Sequence, residues 1–372
     1  MQGEGITSRR FGGENGAAEH FISIEAASGL SFVKQLHSVA ERYAAARKGL
    51  RLAPESAVFR RIFVSDVLNQ AAPVRASSLC GTAEEGPVSV SIVQQPPLPG
   101  AKVALLAYHL EDDGVAKRRI SPHHMLVERS GLRHLWSTTL CAGTDTGPAS
   151  AAEQTRGIFD DLTDTLAGEG GTLRDHCVRT WVYLKDVDVF YQDMVRSRRD
   201  LFERQGLTAD THYIASTGIE GACAHRYDLV AMDAYSILGL EPGQMSYLND
   251  FDRLCPTRNY GVTFERGTRI AYADRAHHFI SGTASIDSDG AVVHPGDVLR
   301  QLERALGNVD ALLRSGGATL HDMMHLIVYL RDSSDFPSVK ACLAERFSDL
   351  PTLVVHGAVC RPDWLVEVEG IA

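Results

Sequence analysis

The amino-acid sequence predicts an α+β protein with two tandem domains, each a mixed sheet covered on one face by two helices. The first observation is an internal repeat: residues Gln154–Phe190 return as Gln301–Phe336 with one gap. Both copies run from an amphipathic helix through a Gly-Gly turn and a Thr-Leu-x-Asp step into an apolar strand, V-Y-L-K/R-D. This repeat is too long for a solenoid and fits a duplicated domain. The second observation is that strands alternate with helices in each copy, which favours an α+β layer.

Periodicity predicts the individual elements. Alternating or short apolar runs predict strands at Val58–Val67, Val88–Val93, Lys102–Leu110, Leu132–Leu140, Leu229–Tyr235, His277–Ser281 and Leu365–Ile371. Residues Tyr260–Phe264 and Arg269–Tyr272 predict a hairpin around Glu265–Thr268. The alanine-rich basic stretch Ala40–Leu50 predicts a helix.

The domain boundaries are predicted from length and composition. A chain of 372 residues fits about two or three domains. Residues 1–25 are rich in Gly, Glu and Arg and lack periodicity, so we expect a mobile N-terminal tail. We expect residues 26–250 to form a degenerate first copy with an extra N-terminal segment, and residues 251–372 to form the second copy.

Composition excludes several classes of function. The net charge of -10 argues against a nucleic-acid partner, because phosphate binding needs a basic face. The longest apolar runs are too short to cross a membrane, and the N-terminus lacks the apolar segment of a signal peptide. We therefore expect a cytoplasmic protein with no membrane partner. The seven cysteines are scattered singly, without metal-ligand spacing.

Several motifs carry a family resemblance. They are I-S-G-T-A-S-I-D at Ile280–Asp287, H-P-G-D at His294–Asp297, L-G-N-V at Leu306–Val309, V-Y-L-R-D at Val328–Asp332 and C-R-P-D-W-L-V-E-V-E-G-I-A at Cys360–Ala372. This set resembles the reactive-intermediate deaminase (YjgF-like) superfamily. The tandem arrangement, A-S-T-G-I-E-G at Ala215–Gly221 and the C-R-P-D-W-L-V-E ending resemble more narrowly the chorismatases, which hydrolyse or rearrange chorismate with loss of pyruvate.

The resemblance implies a chorismate-mutase-like fold, in which sheets from three domains line an inner barrel and ligands bind in clefts between adjacent domains. Two copies are one short of a ring, so the sequence allows a homotrimer of tandem chains or a pseudo-threefold monomer completed by Ile22–Val93. The implied substrate is a small carboxylate, and its cleavage needs no cofactor. Deaminases of the superfamily carry an arginine after the Pro that opens the last strand pair, whereas Leu350–His356 has none. An imine or enamine hydrolase and a non-catalytic binding protein are the alternatives.

One acid distinguishes the two copies. Aligning their last strands sets Glu367 against Ala231 and Glu369 against Asp233, so the first acid occurs in one copy only. Strand residues two apart share a face, and neighbouring carboxylates raise one pKa. A raised pKa lets a carboxylic acid protonate an enol ether at neutral pH. The chorismatase resemblance places the catalytic glutamate at Glu367; solvated acids at a strand end are the alternative.

A carboxylate substrate requires cationic or amide donors near this acid. Arg361 precedes Glu367 by six residues, and its planar guanidinium suits a carboxylate; a surface arginine is the alternative. The other candidate binding residues are Tyr213, Thr217, Gly218, Arg258, Tyr260, Arg266, Ser281, Cys360 and Glu369. For the S-T-G and S-G-T segments, a turn and a strand bulge are the alternatives. The resemblance suggests that a cysteine at Cys360 favours 3-hydroxybenzoate as product; a structural thiol is the alternative.

Two further features are assigned no function. The pairs His123-His124 and His277-His278 point to opposite faces of a strand, so neither chelates a metal alone. We therefore predict no metal site. The string R-S-R-R at Arg196–Arg199 is predicted to be the solvated face of a helix.

Overall fold

The computed structural model describes residues 5–13, 17–142, 149–223 and 225–372 and contains three mixed β-sheets. Each sheet pairs one parallel edge strand with antiparallel neighbours. Helices pack on one face of each sheet. The predicted α+β class is confirmed. In the part of the chain that the structure describes, no helix has the length and apolar character needed to cross a membrane.

The first sheet has the strand order β1-β2-β5-β3-β4. Its elements are β1 (Ile6–Gly12), β2 (Ala18–Glu25), α1 (Phe32–Leu50), β3 (Ala57–Val64), α2 (Val67–Arg75), β4 (Ser89–Gln94) and β5 (Val103–Glu111). The described residues of the predicted mobile tail therefore form two paired strands. The prediction of a tail was wrong here because A-E-H-F-I-S-I-E carries enough apolar residues for a strand, and Ile22 and Ile24 are fully buried against the helices.

The second sheet has the strand order β10-β9-β11-β8-β7-β6. Its elements are β6 (Ala116–Arg119), β7 (His124–Arg129), β8 (Leu132–Leu140), α3 (Ala151–Gly168), α4 (Leu173–His176), β9 (Cys177–Leu184), α5 (Val187–Arg204), β10 (Ala215–Glu220) and β11 (Val230–Leu238). Ser150 and Glu153 form a capping box at the start of α3, in which each side chain accepts from the other residue's backbone N–H.

The third sheet has the strand order β12-β13-β14-β17-β15-β16. Its elements are β12 (Met245–Tyr247), β13 (Gly267–Ala271), β14 (Ala276–Ala284), α6 (Val298–Ser315), β15 (His325–Leu330), α7 (Phe336–Arg346), β16 (Thr352–His356) and β17 (Val366–Ile371). The predicted hairpin around Glu265–Thr268 was wrong: Thr257–Tyr260 is a 3-10 helix, and β13 pairs with β14 instead. Gly261, with φ of 79°, ends that helix in a conformation incompatible with a strand.

The register identifies the first sheet as a third copy of the repeat. In the second and third sheets, the last strand pairs with the strand that carries the V-Y-L motif. Ala231 of β11 lies opposite Tyr183 of this motif in β9, and Glu367 of β17 lies opposite Tyr329 of the same motif in β15. In the first sheet, Ala104 pairs with Phe63 in the same way. The residues predicted as one N-terminal domain, 26–250, thus contribute strands to all three sheets. One chain contains the three sheet units that the pseudo-threefold alternative requires.

A buried glutamine marks each copy. Gln35, Gln154 and Gln301 each accept a hydrogen bond from the backbone N–H directly before the last strand of their sheet. The N–H donors belong to Lys102 at 2.7 Å, Leu229 at 2.7 Å and Leu365 at 2.8 Å. The glutamine therefore fixes where each last strand begins.

Aromatic rings join the three sheets in the core. Trp136 of the second sheet contacts Phe59 of the first, with 4.9 Å between ring centroids. It also contacts Tyr235 at 4.5 Å, which in turn contacts Phe279 of the third sheet at 5.3 Å. Such pairs add to the stabilisation from burying apolar area. The sheets therefore share one core, and their faces away from it are covered by helices.

Candidate active site

The candidate active site is a cleft between the second and third sheets. Glu367 on β17 lines a cavity with about 690 Å³ of empty space, part of it open to solvent. Four other predicted residues line the same cavity, namely Gly218, Arg266, Cys360 and Arg361. The remaining walls include Tyr191, Arg198, Phe264, Gly282 and Trp364.

Glu367 is a buried acid with 5% of its surface exposed. Burial, followed by the negative charge of Glu369, raises its pKa to about 8, although Arg179 and Arg266 act in the opposite direction. A carboxyl group in this environment holds its proton at neutral pH. Glu367 therefore combines access to a cavity with the protonation state of a general acid.

Glu369 lies outside the cavity and is hydrogen-bonded to three buried side chains. Its carboxylate accepts hydrogen bonds from Arg179 Nη2 at 2.7 Å, from the Tyr329 hydroxyl at 2.8 Å and from the Thr217 hydroxyl. Glu369 and Thr217 are buried and do not line the cavity. The geometry therefore does not support their predicted role in binding substrate, because their side-chain oxygens already hydrogen-bond to protein groups.

Two glycines make room at the acid. A Cβ on Gly282 would overlap the carboxyl group of Glu367, and a Cβ on Gly218 would lie 3.1 Å from the Tyr191 ring. The Gly282 N–H donates to Thr217 Oγ1 at 2.8 Å, which holds β10 against β14. Small residues at both positions keep the cavity open beside the carboxyl group.

Three arginines give the cavity its positive charge. Arg361 lies over the Trp364 ring at 4.5 Å and donates to the Gly290 carbonyl at 3.1 Å. Arg266 donates to the Cys255 carbonyl at 3.1 Å. Arg198 donates to Thr263 Oγ1 at 3.2 Å and to Ser216 Oγ at 3.3 Å. These neutral acceptors help to orient the three guanidinium groups at the cavity.

Arg198 corrects a prediction. The R-S-R-R string was expected to be a solvated face, but Arg198 is 2% exposed, and burial lowers the pKa of its guanidinium. Among the described residues, it forms no ion pair with a carboxylate. Its position on α5 held the missing signal, since Met194 and Phe202, four residues to either side, lie on the apolar stripe.

Other predicted residues lie elsewhere. Tyr213 and Arg258 line a neighbouring cavity of about 580 Å³. Ser281 is buried, donates to the Glu265 carbonyl at 2.6 Å and accepts from the Ser216 N–H at 2.9 Å. Tyr260 ends the 3-10 helix, and its side chain lies outside the described residues. The mistaken hairpin explains the prediction for Arg258, which was expected to flank it, whereas Tyr213 was predicted from its place beside the A-S-T-G-I-E-G segment.

Cys360 lies beside the acid and the Tyr191 hydroxyl. Burial, and then the charge of Glu367, raises the pKa of its thiol to about 12, so it is protonated and a poor nucleophile. Among the described residues, no group of three or more His, Cys, Asp or Glu side chains is arranged to hold a metal ion. The chemistry of this cleft is thus that of a carboxylic acid surrounded by arginines.

Three sheets of one repeat and a cleft that holds a buried carboxylic acid among arginines define a tandem YjgF-like enzyme, and comparisons with known proteins agree. Residues 270–372 match the family described as Endoribonuclease L-PSP. A chorismatase from Streptomyces rapamycinicus is 30% identical over 244 residues, covering 60% of this chain and 70% of the relative. A 3-hydroxybenzoate synthase from Streptomyces hygroscopicus is 28% identical over 269 residues, covering 66% and 77%.

A solved structure shares the fold. A chorismatase crystal structure superimposes with a TM-score of 0.64 at 19% identity, covering 86% of this chain and 93% of that one. The chain belongs to the chorismatase family.

Proposed function

We propose that this enzyme cleaves the enolpyruvyl ether of chorismate, releasing pyruvate together with 3-hydroxybenzoate or a dihydroxycyclohexadiene carboxylate. The observation that carries the proposal is Glu367, a buried acid whose pKa is raised to about 8 beside a cavity that carries arginines. The relatives named chorismatase and 3-hydroxybenzoate synthase support the choice of substrate.

Glu367 is the general acid of the proposed reaction. Its proton passes to the exocyclic methylene carbon of the enolpyruvyl group, which becomes a methyl group as the ether becomes an oxocarbenium ion. If water attacks this cation, the hemiketal that forms collapses to pyruvate and the dihydroxycyclohexadiene carboxylate. If the ring's own hydroxyl group attacks, a cyclic ketal forms; the bond from the former hydroxyl oxygen to the ring then breaks, the ring carbon that bears the ether loses its hydrogen as the ring becomes aromatic, and the resulting hemiketal collapses to pyruvate and 3-hydroxybenzoate. A general acid with a pKa near the working pH contributes about 10² to 10⁴-fold to the rate.

The arginines bind the two carboxylates of chorismate. Arg198 is the strongest candidate because it is buried and a carboxylate would compensate its charge. Arg266 and Arg361 line other walls of the same cavity and offer the second cationic contact. Trp364, on which Arg361 stacks, presents an apolar wall to the ring.

Cys360 bears on which product forms. Its raised pKa makes it a neutral, weakly polar neighbour of the acid, which disfavours a bound water there and so favours attack by the ring hydroxyl. We therefore propose 3-hydroxybenzoate as the main product. Replacing Cys360 by Ala should raise the share of the dihydroxycyclohexadiene product, measured by chromatography; an unchanged ratio would remove Cys360 from this role.

The test is pyruvate release from chorismate. We expect the wild-type protein to form one pyruvate per chorismate, and Glu367→Gln to lose about 10² to 10⁴-fold in kcat. Asp363→Asn, which alters an exposed acid in the same loop, is the matched control and should retain the activity.

A parallel assay with a 2-aminoacrylate-type imine tests the alternative hydrolase activity. Imine turnover without pyruvate release from chorismate would overturn the proposal, as would normal chorismate turnover by Glu367→Gln.

A further inference from the structure

Four buried charged groups meet where the three sheets come together. Glu369 and Asp233 occupy equivalent positions of the third and second sheets, two residues beyond Glu367 and Ala231. Arg61 on β3 donates to Asp233 Oδ2 at 3.2 Å and lies 3.6 Å from Glu369 Oε1. Arg179 on β9 pairs with Glu369 at 2.7 Å. Each sheet therefore contributes to this central cluster.

We propose that Glu369 is a positioning residue that keeps the proton on Glu367, with its own charge secured by arginines from the other two sheets. The proposal rests on the proposed function, in which Glu367 is the general acid. Glu369 acts through Glu367, because its carboxylate is enclosed by Arg179, Thr217 and Tyr329 and does not line the cavity.

Charge balance in the central cluster supports this role. Arg61 and Arg179 carry two positive charges, and Asp233 and Glu369 carry two negative charges. Ionised Glu367 would add a third negative charge beside Glu369, in a region where an uncompensated charge is costly. The proton on Glu367 removes that charge.

Other groups facing Glu367 modify this effect. Arg179 on β9 and Arg266 before β13 favour the ionised form, and the Cys360 thiol faces the acid from its loop. The two arginines are already hydrogen-bonded to Glu369, to Thr180 and Cys255 carbonyls and to other acceptors. Glu369 is the like charge on the same strand face, which makes it the residue to change.

The experiment follows the Glu367 carboxyl carbon by NMR in protein labelled with ¹³C-glutamate, without substrate. The signal is assigned by its loss in Glu367→Gln. We expect Glu369→Gln to lower the pH at which Glu367 titrates by roughly one to three units. The alkaline limb of the kcat/KM profile with chorismate should shift by the same amount.

Two variants separate charge from packing. Glu369→Asp retains the charge and should keep the titration near that of the wild type. Asp233→Asn removes the equivalent acid beside Ala231 and should move the titration less than Glu369→Gln does. If Gln moves the titration no more than these two variants, the proposal is overturned.

The NMR titration is independent of turnover. A shifted titration without chorismate cleavage would support the role of Glu369 and contradict the proposed function alone. If Glu369→Gln does not fold, the test is the wild-type spectrum at pH 7. A protonated Glu367 beside an ionised Glu369 would support the proposal. An ionised Glu367 beside a protonated Glu369 would overturn it.

Discussion

Gly282 on β14 faces the carboxyl group of Glu367 on β17 with no room for a side chain between them. A Cβ on Gly282 would overlap Oε1, lie 2.8 Å from Cδ and lie 3.0 Å from Cγ2 of Thr217. The glycine sits where the register of β14 shifts between Ile280 and Thr283. Glycine is required at position 282 because a side chain would clash with Glu367, and the space left by the absent side chain is occupied by the carboxyl group of Glu367.

Gly282→Ala should therefore displace the acid. We expect kcat to fall about 10²-fold, the scale of a misplacement near 1 Å, and stability to fall by about 1–3 kcal/mol from overpacking. Kinetics with chorismate and denaturant unfolding measure the two effects. Gly168→Ala is the matched control, because a Cβ there meets no atom within 4 Å. Equal activity in both variants would contradict the argument.

The protonation of Glu367 should appear in protein stability. Its pKa is raised from 4.5 to about 8, so the folded protein holds a proton that the unfolded chain releases between these values. This contribution is fully present below pH 4.5 and is lost as pH rises through about 8, at roughly 1.4 kcal/mol per unit.

Glu367→Gln has no such proton. We expect the stability difference between variant and wild type to move in favour of the variant by about 3 kcal/mol from pH 5 to pH 8, measured by urea unfolding. Titrations elsewhere are common to both proteins and cancel in the difference. A difference that stays constant with pH would mean that Glu367 has an ordinary pKa.

Arg198→Met should weaken substrate binding. Loss of a hydrogen bond to a charged group costs about 1.5–3 kcal/mol, so we expect KM for chorismate to rise about 10 to 100-fold with a smaller change in kcat. Arg196→Met removes an exposed arginine from the same helix and should leave KM unchanged. A similar KM in both variants would show that Arg198 does not contact the substrate.

The sequence predicted the second and third sheets because their copies of the repeat remain similar. The first copy reads F-R-R-I-F-V-S-D from Phe59 to Asp66, where arginines stand in place of Leu326 and Ile327 of the third sheet, so its strands were predicted but the segment was not aligned with the other two copies. One of these arginines, Arg61, is buried in the central cluster. The substitution that makes the first copy hard to recognise therefore also places a positive charge beside Asp233 and Glu369. Whether an arginine on a strand is buried, as Arg61 is, depends on which strands and sheets pack around it, and the local sequence pattern does not show this.

A candidate site residue could be predicted where the aligned copies of the repeat differ at one position, as they do at Glu367, which is aligned with Ala231. Arg198 was missed because a run of arginines on a helix usually faces solvent, although its spacing of four residues from Met194 and Phe202 placed it on the apolar stripe. Tyr213 and Arg258 lie outside the cleft that holds Glu367, and for Arg258 the reason is that Gly261 ends a helix where a strand was expected. The second cavity that they line depends on that turn.

The repeated glutamines allow a final prediction. Gln301 accepts from the Leu365 N–H and donates to the carbonyls of His294 and Asp363 at 3.1 and 2.9 Å. It thereby fixes the loop before Glu367. Gln35 plays the same part in the first sheet, where it donates to Leu30 and accepts from Lys102.

Replacing either glutamine by Ala leaves buried backbone groups unpaired and should cost about 1–3 kcal/mol for each group. We expect similar drops in Tm for Gln301→Ala and Gln35→Ala, because both side chains are fully buried. At a temperature where both remain folded, only Gln301→Ala should lose activity, since its loop carries Arg361 and Trp364 and precedes the acid. Equal loss of kcat in the two variants would mean that general destabilisation, and not the position of this loop, limits catalysis.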